Sequence, residues 1–321
     1  MLAGAEAYFS RQRQTRDLHH RRRGLQLTKL KTEKRNRASA NLDAMSAIKI
    51  ATLMNRQDAM VPRAIRGVLP QVAKAIDLIA RQLAHGGRLI YVGTGTSGRI
   101  GALDAAEIPP TYGTSPGIIQ FVMAGGERAL AEATEADEDS SRLGQRDLAA
   151  RRPKKSDVVV AIAASGRTPY TIGALQYAQK KGAATIAVVC NHGSELACMA
   201  QVAIEVEVGP EILTGSTRLK AGTAEKLVCN MLSTGAMARL GYVYGNLMVN
   251  LQARNEKVFE RAVSIVEQVA HVDREVAVPI LKSAGMKVSV ALIMLKYNIS
   301  RAEAARRLKS AHGIVRKALH G

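Results

Sequence analysis

A short polar phrase occurs twice in this chain, as Ser97-Gly98-Arg99 and as Ser165-Gly166-Arg167. Each copy follows a run of β-branched and apolar residues, at 88–92 and at 157–163, which predicts a buried strand, a glycine turn and then a helix. Glycine lets the backbone approach a ligand, hydroxyls donate hydrogen bonds, and a helix N-terminus attracts an anion. Two such loops on one sheet are suited to hold a phosphate and a sugar.

The glycines of the first loop also match a dinucleotide-binding fingerprint, G-x-G-x-x-G, at Gly93, Gly95 and Gly98. That kind of site requires an acidic residue roughly 20 residues later, at the end of the second strand, to hold a ribose. Here the second predicted strand runs into Ala124-Gly125-Gly126, and the acidic Glu127 comes late. The many hydroxyls and the second loop favour a sugar phosphate over a dinucleotide.

Carboxylates near both loops supply groups for proton transfer. They are Asp104, Glu107, Glu127, Glu132, Glu135, Asp137, Glu138 and Asp139. The C2 proton of an open-chain aldose is acidic, so a carboxylate base can remove it. Reprotonation at C1 would make the protein an isomerase, whereas loss of an oxygen substituent at C3 would make it an eliminating enzyme, which needs an acid as well as a base.

The elements that must position these residues alternate along the chain. Strands are predicted near 88–93, 118–123, 157–163, 184–190 and 202–207, and helices near 98–106, 127–149, 170–182, 193–200 and 217–240. This alternation predicts an α/β fold with a doubly wound, mostly parallel five-stranded sheet. The ligand site is then expected at the carboxyl ends of the strands.

Three regions are expected along the chain. Residues 1–31 form a basic, disordered extension that lacks the apolar run of a secretory signal or a membrane span. Residues 32–255 form the phosphosugar-binding domain with two or three leading helices. Residues 256–321 form a small helical domain, because the apolar positions there have only helical spacing.

Composition narrows the class of protein. The 321 residues are 47% hydrophobic but only 3% aromatic, and the formal net charge is +19. Residues 1–40 hold 11 basic and 3 acidic side chains, so much of the charge lies at one end, and neither specific nucleic-acid binding nor a membrane partner is predicted. The three cysteines form no CxxC pair, which is typical of reduced thiols in a cytoplasmic protein.

Several longer motifs resemble those of the N-acetylmuramic acid 6-phosphate etherase family, in the family's order and from about residue 32 to the carboxyl end. They are Thr32–Asn36, Gly93–Arg99, Asp104–Pro110, Ala163–Tyr170, Leu213–Thr223 and Gly245–Val249. The resemblance implies the sugar isomerase fold, usually in a homodimer with sites near the subunit interface. It also implies a lyase that removes the D-lactyl ether of its phosphosugar by elimination and water addition, with no metal and no cofactor.

The resemblance also implies roles for single residues. Glu107 aligns with the family's acid and Glu138 with its second catalytic carboxylate, the base at C2. Glu135 and Glu138 are expected on one face of the helix predicted over 127–149. The residues assigned to the phosphate or the sugar are Thr96, Ser97, Glu135, Ser165, Arg167, Thr168 and Lys220, although an arginine at a helix start also commonly caps or pairs with a neighbour.

Two other functions stay open at this point. One is a sensor that binds sugar phosphates without cleaving them, because the longer glucokinase regulatory protein resembles this etherase. The other is an aldose-ketose isomerase, although no amidotransferase or nucleotide module accompanies the domain. The presence of both Glu107 and Glu138 favours the lyase.

Overall fold

Five short strands form one sheet in the computed structural model, which describes residues 30–132, 137–252 and 255–320. All four strand pairings are parallel, in the order β2-β1-β3-β4-β5. The strands are rich in Val, Ile and Ala, as expected where a parallel sheet is covered on both faces. Their bounds are β1 Leu89–Gly93, β2 Ile119–Met123, β3 Val158–Ile162, β4 Ala184–Val189 and β5 Val202–Glu205.

The strand order reverses between β1 and β3, which lie side by side at the centre of the sheet. Gly93, the last residue of β1, pairs with Ile162, the last residue of β3. Ligands of open parallel sheets bind at such a reversal point, outside the carboxyl ends of the strands. The two loops singled out by sequence therefore begin next to each other.

Helices cover both faces of the sheet, which confirms the doubly wound α/β prediction. Leu89 and Tyr91 pack toward one face, and Ile90 and Val92 toward the other. The helices of this part of the chain are α1 Ala47–Asp58, α2 Val61–Arg66, α3 Leu69–Ala84, α4 Gly95–Tyr112, α5 Ser141–Ala150, α6 Pro169–Lys180, α7 Glu195–Met199 and α8 Lys220–Arg239. The first face is covered by α3, α4 and α8, and the second by α5, α6 and α7.

The prediction of one helix over 127–149 is wrong. A 3-10 helix spans Gly126–Leu130, residues 137–139 form a turn, and α5 begins only at Ser141. Ser140 starts that helix, because its hydroxyl accepts a hydrogen bond from the backbone of Leu143. Glu138 consequently lies in the turn and not on a helix face, and Glu135, its predicted helical neighbour, lies outside the described residues.

The helix after the first loop is longer than predicted. It was expected over 98–106, but α4 continues through Pro109 and Pro110 and stops where Gly113 adopts a left-handed conformation, with φ of +66°. A methyl group at Gly113 would also collide with the backbone oxygen of Asn250. Glycine at this position therefore ends α4 and leaves room for the backbone of the segment that leads to the last helices.

The carboxyl-terminal helices share an apolar cluster of their own. Val249 and Leu251 from the preceding segment also belong to it. None of the described helices is by itself long and apolar enough to cross a membrane. One pair, Arg274–Ser283 with Val288–Tyr297, reaches that length and apolarity only when the two helices are taken together, and the pair is bent by 113°. The domain boundary at 255 stays a prediction. The helices are α9 Glu256–Ala270, α10 Arg274–Ser283, α11 Val288–Tyr297, α12 Arg301–Ser310 and α13 Val315–His320.

The chain before α1 is anchored at the sheet edge. Leu30 is buried, and the backbone N–H of Lys31 donates to Asn191 Oδ1 at 2.9 Å. The amide of Asn191 donates in turn to Thr32 Oγ1 and to the backbone oxygen of Ala164, both at 3.0 Å. Of the extension predicted over 1–31, residues 1–29 lie outside the described part, and the last two residues are held in place.

Candidate functional site

The first loop is a tight junction between β1 and α4. Gly95 begins the helix with a φ of +48°, a conformation that favours glycine. A methyl group at Gly98 would lie 2.9 Å from the backbone oxygen of Gly93, so the strand end and the first helical turn touch directly. This close approach leaves the half-buried hydroxyls of Thr96 and Ser97 at the start of α4, beside the sheet edge.

Glu138 joins the two loops. Its Oε1 would lie 3.2 Å from a methyl group at Gly95, which places the carboxylate against the first loop. Its backbone oxygen accepts a hydrogen bond of 3.1 Å from the N–H of Tyr170, in the first turn of the helix that follows the second loop. The sequence predicted Glu138 as a site residue but assigned it to a helix, and the turn is what lets it contact both loops.

Ser97 is bonded to a buried carboxyl group that our sequence analysis missed. Its Oγ donates to Glu225 Oε1 at 2.9 Å, and Glu225, on α8, is only 1% exposed. Burial raises the pKa of Glu225, and the hydrogen bond from Ser97 offsets part of this rise. The resulting pKa is about 8. The available signal was the helical spacing of Ala221, Glu225 and Val228, which puts the carboxyl on the buried face of α8.

The methyl group of Thr96 packs against the same helix. Its Cγ2 would lie 3.3 Å from a methyl group at Gly222. The small residues at the start of α8 therefore let this helix approach the first loop closely. Thr96 and Ser97, which the sequence predicted as site residues, are brought together with Glu138 and Glu225 in this way.

The second loop presents its own hydroxyls. Gly166 has a φ of +65°, and a methyl group there would collide with Ser194. Ser165 Oγ accepts a hydrogen bond of 3.2 Å from the backbone N–H of Arg167, which closes the turn. Thr168 is the N-cap residue of α6 but makes no capping bond with its side chain, so its hydroxyl can serve another partner. All three predicted residues, Ser165, Arg167 and Thr168, are half-buried.

Lys220 has contacts that differ from those of a surface cation. It is 2% exposed, and its ammonium group donates to the backbone oxygen of Val208 at 2.9 Å and to Gln57 Oε1 at 3.2 Å. Burial lowers its pKa. The carboxylate of Glu211 accepts hydrogen bonds from the backbone N–H groups of Lys220 and Ala221, at 3.0 and 2.9 Å. These bonds stabilise the start of α8 from inside the fold. Lys220 was predicted to bind the ligand as a cation, but its amine is buried and is bonded to Gln57 and Val208.

Asp104 is a structural carboxyl group. It accepts hydrogen bonds from the Tyr91 hydroxyl and the Asn230 amide, both at 2.8 Å, and from the Ser233 hydroxyl at 3.0 Å. Burial raises its pKa, and the three hydrogen bonds lower it. Asp104 thus fastens β1 to α8 beneath the site.

Glu107 lies apart from the other predicted catalytic residue. It is exposed on α4, ten residues after Ser97, and a helix rises about 1.5 Å per residue, so it lies about 15 Å further along the helix axis. Leu103, one turn earlier on the same helix, is 53% exposed. The described chain therefore brings Glu138 to the two loops but leaves Glu107 at a distance from them.

Arg99 holds the connection after β2 in place. Its guanidinium donates to the backbone oxygens of Leu130 and Glu132, at 3.1 and 2.8 Å. It thereby fastens α4 to the segment that leads to Glu138. Among residues 30–132, 137–252 and 255–320, no group of three or more His, Cys, Asp or Glu side chains is arranged to hold a metal ion.

Two family models match the region that carries the loops. The model for the glucokinase regulatory protein N-terminal SIS domain matches residues 71–179, and the SIS domain model matches residues 146–234. Together they span β1 to α8, the elements that form the two loops.

Solved structures match this chain at lower identity. A phosphoheptose isomerase from Neisseria gonorrhoeae is 17% identical, with a TM-score of 0.47 over 60% of this chain and 100% of its own. A phosphoheptose isomerase from Francisella tularensis is also 17% identical, with a TM-score of 0.46 over 59% of this chain and 100% of its own. Matches at this level assign no function.

Curated relatives match almost the whole chain. N-acetylmuramic acid 6-phosphate etherase 2 of Lactiplantibacillus plantarum is 50% identical over 296 residues, which cover 92% of this chain and 100% of the relative. The etherase of Burkholderia lata is 52% identical over 92% of this chain and 97% of its own, and that of Klebsiella aerogenes is 49% identical over 92% and 98%. With identity this high over nearly the full length of both partners, this chain belongs to the N-acetylmuramic acid 6-phosphate etherase family.

Proposed function

We propose that this protein is a carbon-oxygen lyase that cleaves the D-lactyl ether of N-acetylmuramic acid 6-phosphate. The products are N-acetylglucosamine 6-phosphate and D-lactate, as expected in the recycling of cell-wall sugars. The observation that carries the proposal is the position of Glu138, whose carboxylate lies against the first loop while its backbone is bonded to the helix after the second. This position supports a role for Glu138 as the base that acts on a sugar held by the two hydroxyl-bearing loops.

The phosphate is assigned to the hydroxyls of the two loops. Ser97 and Thr96 lie at the start of α4, and Ser165 and Thr168 lie at the turn before α6. Both helix starts also direct backbone N–H groups and a positive dipole end toward the sheet edge. Arg167 supplies a positive charge in the second loop, and Glu135 stays a predicted sugar-binding residue.

The chemistry follows from a carboxylate beside C2 of the open-chain sugar. Glu138 takes the C2 proton, the electron pair forms a C2=C3 double bond, and the bond from C3 to the lactyl oxygen breaks. An acid protonates the departing oxygen, so lactate leaves with its hydroxyl group. Water then adds at C3 while a proton returns to C2. No step in this sequence transfers electrons to or from a cofactor.

Glu107 is the proposed acid, and its position requires a second copy of the chain. About 15 Å along α4 from Ser97, it cannot reach the C3 substituent of a sugar bound at its own loops. A homodimer in which α4 of one protomer approaches the loops of its partner would supply it. Leu103, exposed one turn from Glu107, gives that helix an apolar residue for the interface to cover.

We also assign the protein to the cytoplasm. Its cysteines are free, and Cys190 and Cys229 are buried as thiols, as expected in a reducing compartment.

Binding and cleavage of N-acetylmuramic acid 6-phosphate, measured separately, test this function. The purified protein is expected to release D-lactate, and Glu107→Gln and Glu138→Gln are expected to bind the sugar phosphate but release at most a hundredth as much. A wild-type protein that binds the substrate and releases no lactate would instead be a sensor. A wild-type protein that converts it to a ketose and releases no lactate would be an isomerase.

A further inference from the structure

The single hydroxyl proton of Ser97 cannot be donated both to Glu225 and to a bound phosphate. A serine hydroxyl has one proton to donate and can accept as well, whereas an ionised carboxylate only accepts. Ser97 Oγ donates its proton to Glu225 Oε1 in the arrangement described above. If Glu225 stays ionised, that proton is not free for a phosphate oxygen.

A protonated Glu225 resolves this conflict. Its O–H then donates to Ser97 Oγ, and the serine proton can turn toward the ligand. The two oxygen atoms are 2.9 Å apart, so the bond reverses its direction without any movement of the chain. Glu225 is 1% exposed, so no water layer separates its charge from that of a phosphate at Ser97.

We propose that Glu225 has to be protonated when a phosphosugar binds at the first loop, so that phosphate binding by this protein is coupled to proton uptake wherever Glu225 is ionised in the free protein. The proposal rests on the proposed function, because it places a phosphate oxygen at Ser97. Glu225 is a positioning residue in this account, since it acts on the ligand through the serine hydroxyl.

The titratable groups nearest to Glu225 stay neutral in the pH range in which Glu225 gains or loses its proton. The thiol of Cys190 follows β4, and that of Cys229 lies one turn further along α8; both interact with the Glu225 charge. Burial raises the pKa of both thiols well above the usual value, so they stay neutral when Glu225 ionises. From α4, Asp104 also raises the pKa of Cys229. Glu225 itself has a pKa of about 8, where a small change in its surroundings changes its protonation.

The test is calorimetric titration of the wild-type protein with N-acetylglucosamine 6-phosphate in buffers of different ionisation enthalpy. The second pKa of a phosphate monoester is about 6, so above about pH 7.5 the ligand itself takes up little proton. We expect uptake of about half a proton per ligand at pH 8 and an approach to one at about pH 9. The affinity is expected to fall about tenfold per pH unit above the pKa of Glu225.

Two variants decide which group takes up the proton. Glu225→Gln keeps the shape and can donate to Ser97 permanently, so it should bind the ligand with no proton uptake and with an affinity independent of pH above about pH 7.5. Cys198→Ser changes an exposed thiol on α7, and it should leave the uptake unchanged.

The outcomes separate this inference from the proposed function. Tight binding by the wild type with no proton uptake at pH 8 to 9 would overturn the inference and leave the phosphosugar site intact. Uptake that persists in Glu225→Gln would also overturn it. A wild-type protein that fails to bind N-acetylglucosamine 6-phosphate at any pH would overturn the proposed function and the inference together. If Glu225→Gln does not fold, Ser97→Ala takes its place, because it removes the hydroxyl through which Glu225 acts on the ligand, and uptake that persists in this variant would overturn the inference.

Discussion

Tyr170 donates its backbone N–H to the backbone oxygen of Glu138 at 3.1 Å. This bond fastens the turn before α5 to the first turn of α6, and the side chain of Glu138 then meets Gly95 at the start of α4. Two loops that are 68 residues apart in sequence, counted from Ser97 to Ser165, are thereby joined by one carboxylate-bearing residue. The position of the proposed base is a consequence of the fold and not of a local helix.

Removing the charge of Glu138 should abolish cleavage and preserve binding. In Glu138→Gln the side chain keeps its shape but no longer takes the C2 proton, so we expect kcat to fall by roughly 10²- to 10⁴-fold while Kd changes little. Lactate release under single-turnover conditions and calorimetric binding measure the two effects. Glu132→Gln is the matched control, because Glu132 lies in the same connection, is 61% exposed and should leave kcat unchanged. A Glu138→Gln variant with near-normal kcat would remove Glu138 from the mechanism.

Mixing two inactive variants should restore activity if Glu107 acts on the partner's substrate. In a mixed dimer of Glu107→Gln and Glu138→Gln, one site contains both substitutions and the other contains neither. After subunit exchange at equal concentrations, half of the dimers are mixed, so about a quarter of the wild-type activity is expected. Each variant alone is expected to stay inactive. A mixture that exchanges subunits, as shown by mass spectrometry, and stays inactive would place Glu107 and Glu138 of one chain in the same site.

Burial of Glu225 should make the folded protein less stable as the pH rises. Its pKa is raised from 4.5 to about 8, so between these values the folded state holds a proton that the unfolded state has lost. The contribution of Glu225 is therefore fully present below about pH 4.5, decreases as the pH rises by about 1.4 kcal/mol per unit, and is lost above about pH 8. Urea unfolding at several pH values should show Glu225→Gln gaining stability relative to the wild type across this window. Parallel curves for the two proteins would contradict the raised pKa.

Truncation of Asp104 should destabilise the fold without changing the chemistry. Asp104→Ala leaves the buried hydroxyl of Tyr91 without its acceptor and also removes the acceptor of the Asn230 amide and the shorter of the two hydrogen bonds that Ser233 donates. Each buried unsatisfied polar group costs about 1–3 kcal/mol. We expect a loss of several kcal/mol in the free energy of unfolding. The control is Asp77→Ala, which removes an exposed ion pair with Arg239 and should cost less than about 1 kcal/mol. Equal losses in the two variants would contradict the structural role of Asp104.

The sheet could be predicted from sequence because its strands have a strong local signal. Runs of Val, Ile and Ala that are buried on both faces predicted all five strands to within two residues. The two glycine turns followed from the same signal, and their meeting at the carboxyl edge followed from the strand order. These features depend on composition over a few residues, which is why they are confirmed.

The features that failed depend on packing between distant segments. The stretch before Ser140 is rich in Glu and Ala, which favour helices, but Gly125 and Gly126 with positive φ and the bond from Tyr170 impose a turn there. The spacing of Glu225 from Ala221 and Val228 puts it on the buried face of α8. The sequence does not show which element covers that face, and the packing of α8 against α4 is what places Glu225 next to Ser97.

The origin of the oxygen atoms in the products shows which side of the ether bond is cleaved. Wild-type protein is incubated with N-acetylmuramic acid 6-phosphate in water enriched in oxygen-18, and both products are analysed by mass spectrometry. Elimination and water addition predict unlabelled D-lactate and one oxygen-18 atom at C3 of N-acetylglucosamine 6-phosphate, because the ether bond breaks on the sugar side and water adds back there. Label in the lactate with none at C3 would show cleavage on the lactyl side and would contradict elimination from C2 and C3.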